Sequence, residues 1–189
     1  MVGLGNPGAE FERTRHNVGA EVVELLASRR GLRLKPEKGT RAVVSQTRFQ
    51  DELVVLAVPQ TYMNESGLAV AALARRFRLP GTDRLVVVHD ELDLPTGRVK
   101  VKVGGGTAGN NGLKSIHAHL HDPGYVRVRI GIGKPPGREG GADYVLHRPG
   151  RAERGALDVA IEVAADVVEV IAAEGVDTAM ARYNGDAAG

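Results

Sequence analysis

The sequence predicts a single three-layer α/β domain built on a twisted, mixed β-sheet. Short β-branched segments alternate with longer segments whose apolar residues recur at helical spacing, which is typical of helices that cover a sheet. Two neighbouring strand-like segments, 41–48 and 53–58, are separated by a short polar turn and predict a hairpin, which would make the sheet mixed. No internal repeat or linker divides the 189 residues, so one domain spanning 1–189 is expected.

Six segments have the length and composition of strands. They are short, rich in valine and other β-branched residues, and bounded by glycine, proline or polar residues. They comprise residues 1–4, 41–48, 53–58, 85–88, 98–103 and 125–132. We assign all six to the central sheet.

Five further segments predict helices. The apolar residues between 18 and 26 recur at helical spacing, which predicts a helix from residue 16 or 17 to Arg30, with Gly31 as its C-terminal stop. The other predicted helices span residues 64–77, 112–121 and 151–174, followed by a short last helix over 177–183.

Composition excludes several classes of chemistry. There is no cysteine, so disulfides, zinc-thiolate sites and a cysteine nucleophile are ruled out. The N-terminal residues form neither a basic leader nor a signal-peptide segment, and no segment is long enough to span a bilayer, so a cytoplasmic protein with no membrane partner is expected. The net charge of +2 permits a nucleic acid partner without requiring one.

The first glycine cluster, Gly3-Leu-Gly-Asn-Pro-Gly8, fits G-x-G-x-x-G, so a nucleotide-dependent oxidoreductase is one alternative. Pro7 argues against it because proline lacks an N–H that should face the pyrophosphate. A tight turn after the first strand explains the glycines. It does not explain Asn6, whose amide would lie at the carboxyl end of that strand, where open α/β sheets place ligands.

His16 lies at the start of the first predicted helix, where capping or a surface position is a common alternative to catalysis. We expect it to lie at the mouth of the same loop as Asn6. The free N–H groups of a helix N-terminus stabilise a developing anion. The segment Val88-His-Asp-Glu-Leu-Asp93 follows another apolar strand. A metal site is disfavoured there because successive side chains of an extended segment point to opposite sides. Asp90 could instead hydrogen-bond a histidine and fix its tautomer.

Three other segments do not by themselves indicate a cofactor or a metal site. The glycine-rich loop 104–114 lacks the Walker lysine, which disfavours an NTPase, and Asn111 near its end is of the type that caps a helix. His117 and His121 share a helix face, but no third zinc ligand is evident. The segment 134–143, rich in glycine and proline, is a candidate lid.

Seven motifs in order resemble the bacterial peptidyl-tRNA hydrolase family over nearly the whole chain. They are Gly3-Leu-Gly-Asn-Pro-Gly8, Thr14-Arg-His-Asn17, Thr61-Tyr-Met-Asn-Glu-Ser-Gly67, His89-Asp-Glu-Leu-Asp-Leu-Pro95, Gly104-Gly-Gly106, Asn111-Gly-Leu-Lys114 and Arg129-Ile-Gly-Ile-Gly133. The resemblance implies a monomeric enzyme without metal or cofactor, with a mixed sheet surrounded by helices. It also implies the activity: hydrolysis of the ester that joins a peptide to the 3′ end of tRNA, with peptidyl-tRNA as substrate.

The same resemblance implies the site residues. The catalytic base would be His16, Asp90 would stabilise its basic form, and Asn6 would help distinguish peptidyl-tRNA from free aminoacyl-tRNA. The other matching positions would bind substrate: Asn64 and Asn111 its reacting end, Phe11 and Tyr62 the tRNA end, and Lys102 and Arg129 tRNA phosphate. Two positions depart from the family, since Phe11 replaces a common tyrosine and Asn110 a frequent histidine.

These residue types suit ester hydrolysis. Imidazole, with an ordinary pKa of about 6.5, can take a proton from water and return it to the leaving oxygen. Asparagine can donate its NH₂ to an oxyanion without acting as a base, and a carbonyl of Asn6 or a neighbour could accept the N–H of a blocked amine. The alternative from another class is a non-enzymatic RNA-binding protein, which would bind tRNA without turnover.

Overall fold

The computed structural model describes residues 1–135, 137 and 140–185. In these residues seven strands form one sheet: β1 Val2–Gly3, β2 Lys35–Glu37, β3 Ala42–Phe49, β4 Glu52–Pro59, β5 Val86–Glu91, β6 Val99–Val103 and β7 Val126–Gly131. The same residues contain six α-helices: α1 Val18–Arg29, α2 Ser66–Arg76, α3 Asn111–Leu120, α4 Gly141–Leu146, α5 Arg151–Glu174 and α6 Val176–Tyr183. The predicted α/β class is therefore confirmed.

The sheet is mixed, with the strand order β2-β3-β4-β1-β5-β7-β6. Its centre, β4, β1, β5 and β7, is parallel, whereas β3 and β6 run antiparallel to their neighbours. The predicted hairpin is β3–β4, whose register runs from Ala42 opposite Pro59 to Phe49 opposite Glu52. Because the central strands are parallel, their carboxyl ends meet at one edge, where open α/β sheets bind ligands.

Helices cover both faces of this sheet. One face packs against α1 and α5 and contributes Val88 and Ile130 to its core, while the other packs against α2 and α3 and contributes Val87 and Tyr125. Neighbouring residues of β5 enter different cores because successive side chains of a strand point to opposite faces. No helix within the described ranges is long and apolar enough to cross a membrane.

Most predicted elements lie within two residues of their observed ends, and the bounds predicted for α5 are confirmed. The prediction for β5 was wrong at its end, because the strand continues three residues further through His89 and Asp90 to Glu91. Two elements were missed. Strand β2 contains Pro36 and lies at the edge of the sheet, where a missing N–H is tolerated. Helix α4 begins within the last three residues of the glycine-rich segment 134–143, which was interpreted as a candidate lid, and continues to Leu146.

Two glycines allow α1 to lie directly on the sheet. A Cβ on Gly3 would collide with the carbonyl of Gly19, and a Cβ on Gly19 would collide with the carbonyl of Val88 in β5. The N–H of Ala20 also donates to the carbonyl of Leu4 at 2.9 Å. The first turn of α1 is therefore fixed by backbone contact at the carboxyl ends of β1 and β5.

Candidate active site

His16 and Asp90 form a buried pair at this edge of the sheet. His16 lies in the 3₁₀ turn Arg15–Asn17 that leads into α1, and Asp90 lies near the end of β5. The His16 Nδ1 is 2.9 Å from Asp90 Oδ1, and both residues are buried. Since the carboxylate accepts, Nδ1 carries the proton, which leaves Nε2 as the basic nitrogen of the ring. The predicted meeting of these two residues is thus observed.

The pair adjusts the protonation of both partners. Burial disfavours a charged imidazole, but the Asp90 charge and hydrogen bond outweigh it and raise the pKa of His16 above its ordinary value. Burial also opposes ionisation of Asp90, and the neighbouring His16 outweighs that effect, so the pKa of this carboxyl is lowered. His16 is therefore a stronger base than free imidazole, held by a carboxylate that stays ionised.

Asn6 joins the loop after β1 to two other parts of the site. Its side-chain Oδ1 accepts the Met63 N–H at 2.7 Å, which holds the 3₁₀ turn Met63–Glu65 that carries Asn64. Asn17, which the sequence analysis did not single out, exchanges two hydrogen bonds of 2.9 Å with the backbone N–H and carbonyl of Asn6. The only signal for Asn17 was its place directly after His16 in a family motif.

Phe11 and Tyr62 form an aromatic pair beside these loops. Their rings meet edge to face with centroids 6.3 Å apart, and 57% of Tyr62 is exposed. Asn64, two residues further on, is also exposed. An aromatic pair with one exposed ring, next to the exposed amide of Asn64, offers a surface on which a base can stack.

A cleft of about 190 Å³ opens beside the His16–Asp90 pair. Its lining includes His16, Asp90, Asn110, Asn111 and Val145. Asn111 is the first residue of α3 and is exposed; the expectation that it caps this helix was wrong, because Asn110 is the cap. A larger cavity of about 650 Å³ is lined by residues at the amino ends of β1 and β5 and includes neither member of the pair.

Helix α4 forms one wall of the cleft and is held by Arg15, the residue before His16. The Arg15 guanidinium donates to the carbonyls of Tyr144 and His147, both at 3.1 Å, and pairs with Glu153 through two short hydrogen bonds. It also stacks over the Tyr144 ring. The candidate lid 134–143 includes residues 136, 138 and 139, which lie outside the described residues.

The two predicted phosphate-binding residues have different surroundings. Lys102 in β6 is exposed. Arg129 in β7 is partly buried, and its Nε donates to Glu91 Oε2 at 3.1 Å. Arg129 lies opposite His89, one residue from Asp90, whereas Lys102 lies opposite Arg127, further from the carboxyl edge of the sheet. The two residues lie on strands that pair with each other, β6 and β7.

Arg127 was missed because alternation alone does not distinguish it from an exposed residue of β7. It is almost fully buried and donates to the carbonyls of Gly105 and Gly106, so it holds the glycine-rich loop against the sheet. Its Nε, the His89 and His117 Nε2 atoms and the Tyr125 hydroxyl are buried without a partner among the described residues. Buried polar atoms of this kind are usually satisfied by ordered water.

The histidines considered as metal ligands have other surroundings. His117 packs edge to face against Tyr125, and His119 Nδ1 hydrogen-bonds the Ser115 carbonyl at 2.8 Å. His89 Nδ1 donates to the Asp90 carbonyl at 2.7 Å. Within the part of the chain that the structure describes, no three histidine or carboxylate side chains are grouped as a metal site would require.

An open α/β sheet with a buried imidazole–carboxylate pair and exposed amides at its carboxyl edge defines an enzyme that activates a nucleophile by general base catalysis. Comparison with known proteins gives the family. The family model described as peptidyl-tRNA hydrolase matches residues 1–188, and the chain belongs to this family.

Curated relatives and solved structures agree. A peptidyl-tRNA hydrolase from Nocardia farcinica is 51% identical over 179 residues, covering 95% of this chain and 92% of the relative. One from Cutibacterium acnes is 45% identical, covering 97% and 96%. The crystal structure of peptidyl-tRNA hydrolase from Acinetobacter baumannii superposes with a TM-score of 0.91 at 36% identity, covering 97% of this chain and 93% of that one.

Proposed function

We propose that this chain hydrolyses the ester bond between a peptide and the 3′-terminal ribose of tRNA, which releases the tRNA for reuse in translation. The observation that supports this proposal most strongly is the buried His16–Asp90 hydrogen bond, which lies beside an amide-lined cleft in a member of this family. We propose that the enzyme acts without metal or cofactor, as a cytoplasmic monomer formed by one domain of residues 1–189.

The first chemical step is proton transfer from water. With Nδ1 donating to Asp90, the Nε2 of His16 removes a proton from a water molecule, which attacks the ester carbonyl. The imidazolium that results is stabilised by the ionised Asp90 and then protonates the leaving ribose oxygen. General base assistance of this kind contributes about 10² to 10⁴ in rate.

The developing oxyanion needs hydrogen-bond donors that do not act as bases. Asn64 and Asn111 are both exposed, on the turn after β4 and at the start of α3, and supply NH₂ groups from two sides. One such donor contributes about 10² to 10³ in rate. Because their amides cannot act as bases, they stabilise the oxyanion without taking the proton that His16 must hold.

Asn6 provides selectivity for a blocked amine. Its Oδ1 already accepts the Met63 N–H, so one lone pair remains to accept the N–H of a peptidyl group. A free ammonium at this position would have to lose its hydration in a site built for a neutral amide, which is costly. The enzyme therefore favours peptidyl-tRNA over aminoacyl-tRNA without recognising the peptide sequence.

The tRNA is held outside this centre. The Phe11–Tyr62 pair stacks against the tRNA end, and Lys102 and Arg129 bind backbone phosphate. Phosphate contacts carry no sequence information, so many tRNAs are accepted and binding weakens as salt rises.

Incubation with N-acetylated aminoacyl-tRNA and with the same tRNA bearing a free amino acid, both with a chelator, tests the proposal. We expect rapid cleavage of the first alone, and loss of that cleavage in His16→Ala. The matched control is His121→Ala, which removes an exposed histidine at the end of α3. Equal, slow release by the wild type and His16→Ala, with salt-sensitive tRNA binding, would identify an RNA-binding protein instead. Saturable binding of a dinucleotide would support the oxidoreductase alternative.

A further inference from the structure

Asn110 makes two hydrogen bonds that connect α3 with the catalytic carboxylate. Its Oδ1 accepts the Leu113 N–H at 3.1 Å, which caps the helix, and its Nδ2 donates to Asp90 Oδ1 at 3.1 Å. That carboxylate oxygen is the one that accepts from His16 Nδ1. Asn110 thus connects helix α3, which begins with Asn111, to the His16–Asp90 pair.

The two bonds fix the orientation of the Asn110 amide. If the amide were rotated by half a turn, its NH₂ would face the Leu113 N–H and its oxygen would face the Asp90 carboxylate. Both contacts would then be repulsive, donor against donor and acceptor against acceptor. The NH₂ group is therefore held on the carboxylate by the helix cap itself.

Among the described residues, few other charged groups face this pair. On β5, His89 is kept neutral because burial lowers its pKa, and Glu91, which also lines the cleft, is paired with Arg129. On the turn that carries His16, Arg15 is paired with Glu153. From α4 the titratable groups are Asp143 and Tyr144, and the first turn of α3 offers the neutral Asn111 and the exposed Lys114.

We infer that Asn110 is a positioning residue, which acts through Asp90 by sharing the carboxylate oxygen with His16 and so limits how strongly Asp90 holds the protonated imidazole. It does this without itself titrating, because its side chain is an amide. The inference deepens the proposed function and rests on it for its catalytic meaning.

The consequence is a specific pH effect. A hydrogen bond from Nδ2 draws negative charge away from the oxygen that faces His16, and without it the carboxylate stabilises the imidazolium more strongly. His16 would then stay protonated to higher pH, and a protonated ring cannot accept a proton from water. Loss of the donor should move the acid limb of the activity profile to higher pH.

Two variants keep a capping oxygen and remove the NH₂ group that donates to Asp90: Asn110→Ser, whose side chain is shorter, and Asn110→Asp, which also adds a negative charge. Serine and aspartate are both good N-caps, so α3 should still form. The matched control is Asn184→Ser, which removes an asparagine that also makes two hydrogen bonds, at 2.7 and 2.8 Å to the backbone of Val101, on the edge strand β6.

The experiment measures kcat and KM against pH with a short N-acetylaminoacyl nucleotide ester, and follows the His16 imidazole proton by NMR titration in the resting protein. For both Asn110 variants we expect the acid limb and the NMR midpoint to rise together, by about half to one pH unit for the serine variant and more for aspartate. At neutral pH kcat should fall about threefold to tenfold, with KM within about twofold. Asn184→Ser should leave both midpoints unchanged.

Unchanged NMR midpoints in both Asn110 variants would overturn the inference and reduce Asn110 to a helix cap. A raised midpoint in a protein that does not cleave the ester would support the effect of Asn110 on His16 while refuting the proposed hydrolysis, so the two failures are distinguishable.

Discussion

Two neighbouring carboxylates at the end of β5 are buried alike but paired differently. Asp90 points to the face covered by α1 and meets His16, while Glu91 points to the other face and meets Arg129. Only 3% of the Asp90 side chain and 4% of the Glu91 side chain are exposed. The difference between the two sites therefore comes from the partner and not from burial.

The partner decides what each carboxylate can do. Imidazole gains and loses a proton near neutral pH, so the His16–Asp90 pair can exchange protons with a substrate. A guanidinium stays protonated near neutral pH. The Arg129–Glu91 pair is therefore a fixed charge pair, in which Glu91 orients the Arg129 side chain on β7. One strand end thus carries a titrating pair on one face and a permanent pair on the other.

The largest expected effect is on the titrating pair. Asp90→Asn removes the charge that stabilises the imidazolium, and we expect kcat/KM to fall about 10²-fold to 10⁴-fold. Since Asp90 is what raises the pKa of His16, the acid limb of the remaining activity should move to lower pH. Activity on a short ester from pH 5 to 9 measures both changes. A loss smaller than that caused by Glu91→Gln would contradict the assignment of the two carboxylates.

A second test compares how the two pairs, His16–Asp90 and Arg129–Glu91, contribute to the free energy of unfolding at different pH. The pKa of His16 is raised on folding, so its contribution is present below its ordinary value of 6.5 and is lost as pH rises through the folded-state pKa. The pKa of Asp90 is lowered, so its contribution is present above 3.8 and is lost as pH falls through the folded-state pKa. The pair should therefore stabilise most between about pH 4 and 6.5.

Urea unfolding of the wild type, His16→Gln and Arg129→Gln at pH 5.5 and 8.5 measures this contrast. A hydrogen bond to a charged group contributes about 1.5 to 3 kcal/mol, and the cost of His16→Gln should be larger at pH 5.5 than at pH 8.5. The cost of Arg129→Gln should be nearly the same at both, because a guanidinium stays protonated over this pH range. A cost of His16→Gln that grows with pH would refute the sign of the linkage.

The smallest effect concerns phosphate binding. Lys102→Ala and Arg129→Ala should each raise KM for tRNA substrates about threefold to tenfold. Each should also reduce the slope of log tRNA affinity against log salt concentration by about one. Hydrolysis of a short nucleotide ester should be nearly unchanged. Only Arg129→Ala should also lower stability, by about 1 to 3 kcal/mol, because it leaves buried Glu91 without its cation. Equal losses of both variants on both substrates would refute the phosphate role.

The contact between His16 and Asp90 was implied by the family resemblance, and the strand and helix ends on which the two residues lie agree with it. An apolar strand that runs into acidic residues and a histidine at the start of a helix both point to the same edge of an α/β sheet. The sequence could not indicate that Glu91 meets Arg129, since that contact depends on β7 lying beside β5 in a register that sets His89 opposite Arg129. Strand order of this kind is not encoded in periodicity.

The role of Asn110 was beyond prediction for a similar reason. Its two partners, Leu113 and Asp90, lie three and twenty residues away, and only the folded loop brings the second within reach. Helix α4 was missed because its glycine-rich surroundings indicate a loop, whereas its position depends on Arg15, more than a hundred residues earlier.

The glycine contact between β1 and α1 means that thermal stability and the geometry of the active site depend on different residues. The distance from His16 to Asp90 depends on backbone touching backbone at Gly3, Gly19 and Val88. A methyl group at Gly3 or Gly19 would collide with backbone carbonyls and push α1, with the turn that carries His16, away from the sheet. Substitutions of core side chains elsewhere leave this backbone contact in place. The thermal stability of the chain can therefore change through its core, whereas these two positions must carry no side chain.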